Sequence, residues 1–490
     1  MNHQINRLIH FALQKGMIQE CDIEYSTNLL LALFKLDSFE AEDINEELPT
    51  STPILEEMLD YAQETGIIEA TQTARDLFDN KIMNCVMPRP SEVINTFNCL
   101  YKESPEKATN YYYHLSIASN YIRKDRTDKN IRWTSPTKYG NIEISINLSK
   151  PEKDPKEIAR ALQMKTSNYP TCLLCKENVG FAGDFKRDAR VTHRIIPLNL
   201  NNQKYYLQYS PYVYYNEHCI VFNEKHTPMK IGQHSFENLL AFVDVFPHYM
   251  VGSNADLPIV GGSILTHDHY QGGNYHFPMQ DASIIKEWDK DGVHLQLLNW
   301  PLTTIRVQSE NKEAMVAYAT KTLNEWIDYN NEDLDIISHT NGTRHNTITP
   351  IARKHGEMYE LDLVLRNNRT NETYPDGIFH PHQENHHIKK ENIGLIEVMG
   401  LAVLPARLKT ELQLMEEALL GKTDFASHEC LEKHASWYEE LKTMDITEDN
   451  VHDIVCQSVS EIFSRVLENA GVFKLDNPKA LEAVMAFIEK

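Results

Sequence analysis

Near Gly140 the spacing of apolar residues changes period, and this limits the fold more than any other feature of the chain. Over residues 1 to about 130, Ile5, Leu8, Ile9 and Leu13 form one stripe, and Leu29, Leu30, Leu33 and Phe34 form another. Spacings of three and four are those of amphipathic helices. After Gly140, Ile142, Ile144 and Ile146 alternate with polar residues, the period of a half-buried strand. Residues 205–209, 212–215 and 219–222 read as further strands, rich in aromatic residues. Beyond Pro405 the helical spacing returns with Leu408, Leu412 and Met415. The pattern predicts an α/β chain with helical ends around a strand-rich middle.

That middle runs twice through a similar order. First come a strand at 219–222, a helix at 236–249, a strand at 257–265 and the pair His267-Asp-His269. Then come a strand at 303–308, a helix at 312–329, a hairpin over 347–364 turning at Lys354-His355-Gly356, and His380-Pro-His382. The echo suggests two related halves. The expected division is a helical N-terminal extension (1–135), a half carrying the first histidine motif (136–300), a second half (301–404) and a helical C-terminal region (405–490).

Charge and composition exclude several classes. A net charge of -22 argues against a nucleic-acid surface, which needs a basic footprint. No run reaches the roughly 18 apolar residues of a membrane span, and residues 1–16 lack a signal-peptide apolar stretch. Eight cysteines, mostly isolated, suit a reducing compartment. The expectation is a cytoplasmic protein with neither nucleic-acid nor membrane partners.

Two groups of residues could carry chemistry. His267 and His269 follow a strand-like run and a glycine-rich segment, where one imidazole can fix geometry while the other attacks; the plainer reading is two surface histidines. Cys172-Leu-Leu-Cys175 can put two thiolates on one ion, and zinc accepts Cys and His in a tetrahedron. The spacing also suits a redox pair or two small core cysteines. Without a second Cys-x-x-Cys, histidines would complete a metal site, with His226 and His267 the natural candidates.

Taken together, Cys172-Leu-Leu-Cys175-Lys-Glu-Asn178 with Gly183-Asp184, Asn223-Glu-Lys-His226 and His267-Asp-His269-Tyr-Gln271 resemble the galactose-1-phosphate uridylyltransferases of the histidine-triad superfamily. Asn346-Thr-Ile-Thr-Pro350, Leu361-Asp-Leu-Val-Leu-Arg-Asn-Asn-Arg369 and Gly394-Leu-Ile-Glu-Val-Met-Gly-Leu401 are similar to the bacterial type 2 branch, and the likeness runs over nearly all 490 residues. The resemblance implies two histidine-triad-like halves, each an antiparallel sheet with packed helices. It implies His269 as the uridylylated nucleophile and Gln271 as the group steadying the intermediate. It implies a structural zinc on Cys172, Cys175, His226 and His267. It sets Asn178, Asn254 and Ser263 near uridine and phosphates. Lys150 and Lys153 follow a strand where the family places phosphate-binding arginines, although lysine makes a point contact rather than a bidentate one. The cluster His380, His382, His386 and His387 resembles a region where some relatives hold a second metal; a structural or substrate-side role is favoured here.

The implied reaction converts UDP-glucose and galactose-1-phosphate to glucose-1-phosphate and UDP-galactose, and a homodimer is compatible with it. The rivals are a dinucleoside tetraphosphate phosphorylase of the same superfamily and a non-catalytic zinc-binding protein.

Overall fold

Proline and a hydroxyl or amide cap begin several of the helices, as unpaired N-terminal backbone donors require. Ser104 caps the helix Pro105–Ala118 by accepting from the Glu106 amide at 3.1 Å. The computed structural model describes residues 1–149 and 168–490 and divides into two units.

The first unit comprises Met1–Lys129, Ser149–Val213 and Glu217–His226. Its helices include α1 (Asn2–Gln14), α2 (Ile23–Phe34), α3 (Thr52–Glu64), α4 (Gln72–Asn84), α5 (Pro90–Tyr101) and α6 (Pro105–Ala118). α1 buries Ile5, Leu8 and Ile9 as the stripe predicts. On α2 the buried line is Thr27, Leu30 and Phe34; Leu29, expected inside, lies at its exposed edge. β1 (Ile196–Leu200), β2 (Gln203–Tyr209) and β3 (Cys219–Asn223) form an antiparallel meander. Asn201 and Asn202 close the first hairpin with φ of 47° and 61°. A two-residue turn needs that hand, and asparagine tolerates it. Tyr209 donates to the Thr109 carbonyl at 3.1 Å, joining this sheet to α6. Residues 212–215, expected as a strand, form a turn instead, with Val213 at φ 42°.

The second unit comprises Asn130–Leu148, Tyr214–Asn216 and Thr227–Lys490. Its main sheet is antiparallel throughout. The strands are β4 (Met250–Gly252), β5 (His269–Gly273), β6 (Ile284–Lys290), β7 (Val293–Leu298), β8 (Thr304–Ser309), β9 (Asn346–His355) and β10 (Met358–Asn367), in the spatial order β5-β4-β9-β10-β8-β7-β6. Helices α7 (Gln233–Val245) and α8 (Lys312–Ile327) belong to this unit. Trp326 of α8 donates to the carbonyls of Thr347 and Arg366 at 3.0 and 3.2 Å. A smaller sheet pairs Ile131–Thr137 with Gly140–Ile146, and Gly140–Ile146 with Leu401–Leu404. Ile142, Ile144 and Ile146 point into a core shared with Leu408, Leu412 and Met415 of a C-terminal helix, Arg407–Leu419.

The expected strand over 257–265 is absent. Pro258 cannot donate to a ladder, and Ile259 takes φ 72°, leaving one isolated bridge between Ala255 and Gly261. A Cβ at Gly261 would lie 2.5 Å from the carbonyl oxygens of Ala255 and Leu257, so only glycine closes this coil.

Within the main sheet two cations and two anions are buried together. Arg306 donates to Asp362 at 2.8 Å, while Arg353 bonds both Glu360 and Asp362. Asp362 has no exposed surface. Burial pushes its carboxyl up, but Arg353 and Arg306 more than offset this and hold it below the usual range.

Candidate active site and metal centre

In the first unit the Cys172–Cys175 segment folds back on itself. The Cys175 amide donates to the Cys172 carbonyl at 3.3 Å, and the Asn178 amide nitrogen donates to both cysteine carbonyls at 2.8 Å. The turn sets the two sulfurs 3.6 Å apart, with His226 Nδ1, just beyond β3, 3.2 Å from Cys175 Sγ. A tetrahedral zinc with Zn–S of about 2.3 Å and Zn–N of about 2.0–2.1 Å would set S···S near ~3.8 Å and S···N near ~3.6 Å. The observed separations are a few tenths shorter, and the sulfurs stand too far apart for a disulfide. The donor set therefore fits a thiophilic cation. Burial pushes the Cys172 thiol up to about 11, so a bound cation would have to draw the thiolate out.

In the second unit β5 carries the histidine motif. The strand starts at His269 rather than His267, which lies in a bend. His267, Asp268 and His269 are all buried. His269 Nδ1 lies 2.7 Å from the His267 carbonyl oxygen. A carbonyl can only accept, so Nδ1 carries the hydrogen and Nε2 keeps the lone pair. Burial pushes His269 below the usual imidazole range, against the opposing pull of the His267 carbonyl and Asp268. Strand alternation puts Gln271 on the same face as His269, with Tyr270 opposed. Tyr270 is buried, and its hydroxyl receives a hydrogen bond from Asn238 of α7 at 3.2 Å. The approach to the motif is tied back by the Asp268 amide, which donates to the Thr227 carbonyl at 2.7 Å, and by the Met229 amide, which donates to the Leu265 carbonyl at 2.9 Å.

Asn254 and Ser263 lie in the coil before β5. Asn254 is buried and its Oδ1 accepts from the Leu395 amide at 2.9 Å, whereas Ser263 is exposed. Lys150 and Lys153 fall outside the described residues.

The second histidine cluster is held by hydrogen bonds. His380 lies 3.2 Å from Asn392, His382 lies 3.0 Å from the Ile378 carbonyl, and His386 lies 2.8 Å from the Pro381 carbonyl. His387 Nδ1 meets His434 Nδ1 at 2.8 Å, and His434 Nε2 meets Glu411 at 3.0 Å. Among the described residues these histidines form no cluster suited to a metal ion. The Nδ1···Nδ1 contact holds one hydrogen, so both rings cannot be protonated there. Burial, then His434, Arg407 and Arg465, push His387 down to about 3, against the pull of Glu411. An unfolded chain takes up that proton near pH ~6.5, so this site's contribution to stability is complete above that pH and is lost as pH falls toward 3. His387→Asn is expected to flatten the fall of Tm between neutral and mildly acid pH. An unchanged slope in thermal melts would exclude His387 as the source.

Sequence reasoning missed Asn238 and Tyr215, whose hydroxyl donates to the Gly272 carbonyl at 3.0 Å. They lie far from the motif along the chain and match no local pattern.

Residues 16–228 match the N-terminal domain of galactose-1-phosphate uridyl transferase, and residues 242–438 match the C-terminal domain of the same family. The chain belongs to the galactose-1-phosphate uridylyltransferase family. Its relatives include galactose-1-phosphate uridylyltransferases of Clostridium acetobutylicum (57% identical, covering 100% of this chain and 99% of the relative) and Caldanaerobacter subterraneus (52%; 99% and 97%). That of Bacillus subtilis is 46% identical, with coverage of 99% and 97%. The crystal structure of a yeast Ap4A phosphorylase matches with a TM-score of 0.34 at 11% identity, over 59% of this chain and 87% of that one. No helix among the described residues is long and apolar enough to cross a membrane.

Proposed function

We propose that this chain is a UDP-glucose:hexose-1-phosphate uridylyltransferase working through a uridylyl-histidine. The observation that carries the reading is the bond from His269 Nδ1 to the His267 carbonyl. It leaves Nε2 as a neutral nucleophile, which attacks the α-phosphorus of UDP-glucose. A P–N bond forms, the bridging P–O bond breaks, and glucose-1-phosphate departs with the electron pair. The second pKa of a phosphate monoester is about 6, so the leaving group needs no proton. A phosphate oxygen of galactose-1-phosphate then attacks the same phosphorus, releasing UDP-galactose and restoring His269.

Gln271 suits this cycle because its amide donates to phosphate oxygens but neither supplies a proton to a leaving group nor activates water. The intermediate is therefore spared from water until an acceptor phosphate arrives. In this reading Ser263, Asn254 and Asn178 meet the uridine and its phosphates, and Asn178 also staples the cysteine turn.

In the same reading Cys172, Cys175, His226 and His267 hold one zinc ion. The donor set of the first unit supports this. So does the 2.7 Å hydrogen bond between Asp268 and Thr227, the residues directly after His267 and His226. The ion supplies rigidity: His267 would give its ring to the metal and its carbonyl to His269, so metal binding would also fix the nucleophile's tautomer. Up to one zinc per chain is expected, with Cys172→Ser lowering both zinc content and Tm. Metal-free protein of undiminished Tm would show these cysteines to be packed core alone.

Parallel double-reciprocal plots with UDP-glucose and galactose-1-phosphate test the two-step cycle. Intersecting lines, or hydrolysis of UDP-glucose to UMP as fast as transfer, would contradict it.

A further inference from the structure

The strand carrying His269 and Gln271 ends in Gly272-Gly273, two residues without side chains to anchor them. Gly273 sits at φ 153°, a conformation that L side chains rarely adopt. β4 pairs with this strand end, Val251 opposite Gly272 and Met250 opposite Gly273, and hydrogen bonds from side chains to its main-chain carbonyls add to that ladder.

Two such bonds come from an insertion. Tyr214–Asn216 belongs to the second unit although the residues on both sides of it belong to the first. Arg132 donates to the Tyr214 carbonyl at 3.0 Å and anchors the segment. Tyr215 then donates to the Gly272 carbonyl at 3.0 Å, and Asn216 donates to the Asn274 carbonyl at 3.2 Å. The Tyr215 side chain is fully buried, its ring packed against Tyr275 and Phe277 with centroids 5.5 and 4.9 Å away. The ring's packing thus aims the hydroxyl at the peptide next to Gln271.

We infer that Tyr215 is a positioning residue: through the Gly272 carbonyl its hydroxyl fixes the strand end on which Gln271 stands. This rests on the uridylyl-transfer reading above. Gln271 has to hold the phosphate oxygens of the intermediate in the geometry an acceptor phosphate can attack. Without the Tyr215 bond the strand end keeps its ladder with β4 but is held less tightly, so the Gln271 amide is aligned less well and transfer slows, while attack by water, which needs no such alignment, does not.

The test is Tyr215→Phe, which keeps the ring and removes only the hydroxyl. In a pulse-chase with UDP-glucose followed by galactose-1-phosphate, the ratio of UMP to UDP-galactose is expected to rise about three- to tenfold, the worth of one hydrogen bond. A bond serving only stability would lower Tm and leave this ratio alone. In a Gln271→Ala background the same substitution should change the ratio no further, because the group it positions is gone. An unchanged ratio in the single variant, or an equal increase in both backgrounds, would overturn the assignment. Wild-type enzyme that forms no uridylyl intermediate would instead overturn the underlying reaction, so the two failures are distinguishable.

Discussion

Alanine at position 269 is expected to abolish both half-reactions, lowering turnover by at least about a thousandfold, with only binding and alignment left to act. The expectation comes from the single lone pair that the His267 carbonyl leaves on His269 Nε2. No other side chain on β5 offers a comparable nucleophile, since Gln271 is an amide and Tyr270 is turned to the opposite face. Release of glucose-1-phosphate from UDP-glucose in a single turnover is the measurement. Turnover near the wild-type rate would remove His269 from the chemistry. His267→Ala is a useful contrast: it should lose activity together with zinc, whereas His269→Ala should retain its metal.

The largest effect on stability is expected at Asp362. Alanine there leaves Arg306 and Arg353 facing one remaining carboxylate, Glu360, in a site where Arg353 is 4% exposed and Arg306 6%. Removing one partner of a buried ion cluster costs about 3–5 kcal/mol, because the cost is that of stranding the charge left behind. The denaturant midpoint should fall accordingly, with the m-value little changed. A loss below about 1 kcal/mol would mean that the guanidinium groups find other partners or water when the carboxylate is gone.

What the sequence made legible was local in origin. The stripe Ile5, Leu8, Ile9, the alternation Ile142, Ile144, Ile146 and the hairpin around Lys354-His355-Gly356 each state their structure within a few residues, and each forms as expected. The order of the cysteine and histidine motifs identified the family because long, fixed spacings rarely arise by chance. The misreadings also have local causes. The segment 257–265 carries strand-forming residues, but Pro258 and the left-handed Ile259 break it, and close packing at Gly261 keeps it coiled. Leu29 continues an apolar stripe yet sits at the edge of what α2 buries.

Other features depend on pairings that only the folded chain creates. Tyr215 and Asn238 act on β5 from 57 and 32 residues away. What holds the second histidine cluster becomes visible only when His387 is seen to share a hydrogen with His434 and the others to bond carbonyls or an amide. Four histidines in eight residues do not reveal which way their rings face.

Intact-mass spectrometry of the protein mixed with UDP-glucose alone would reveal a covalent uridylyl group on His269. The expected result is a gain of one uridylyl group per chain, mapped by peptide fragmentation to His269 and discharged when galactose-1-phosphate is added. Steady formation of UDP-galactose with no adduct, or an adduct on another residue, would contradict it.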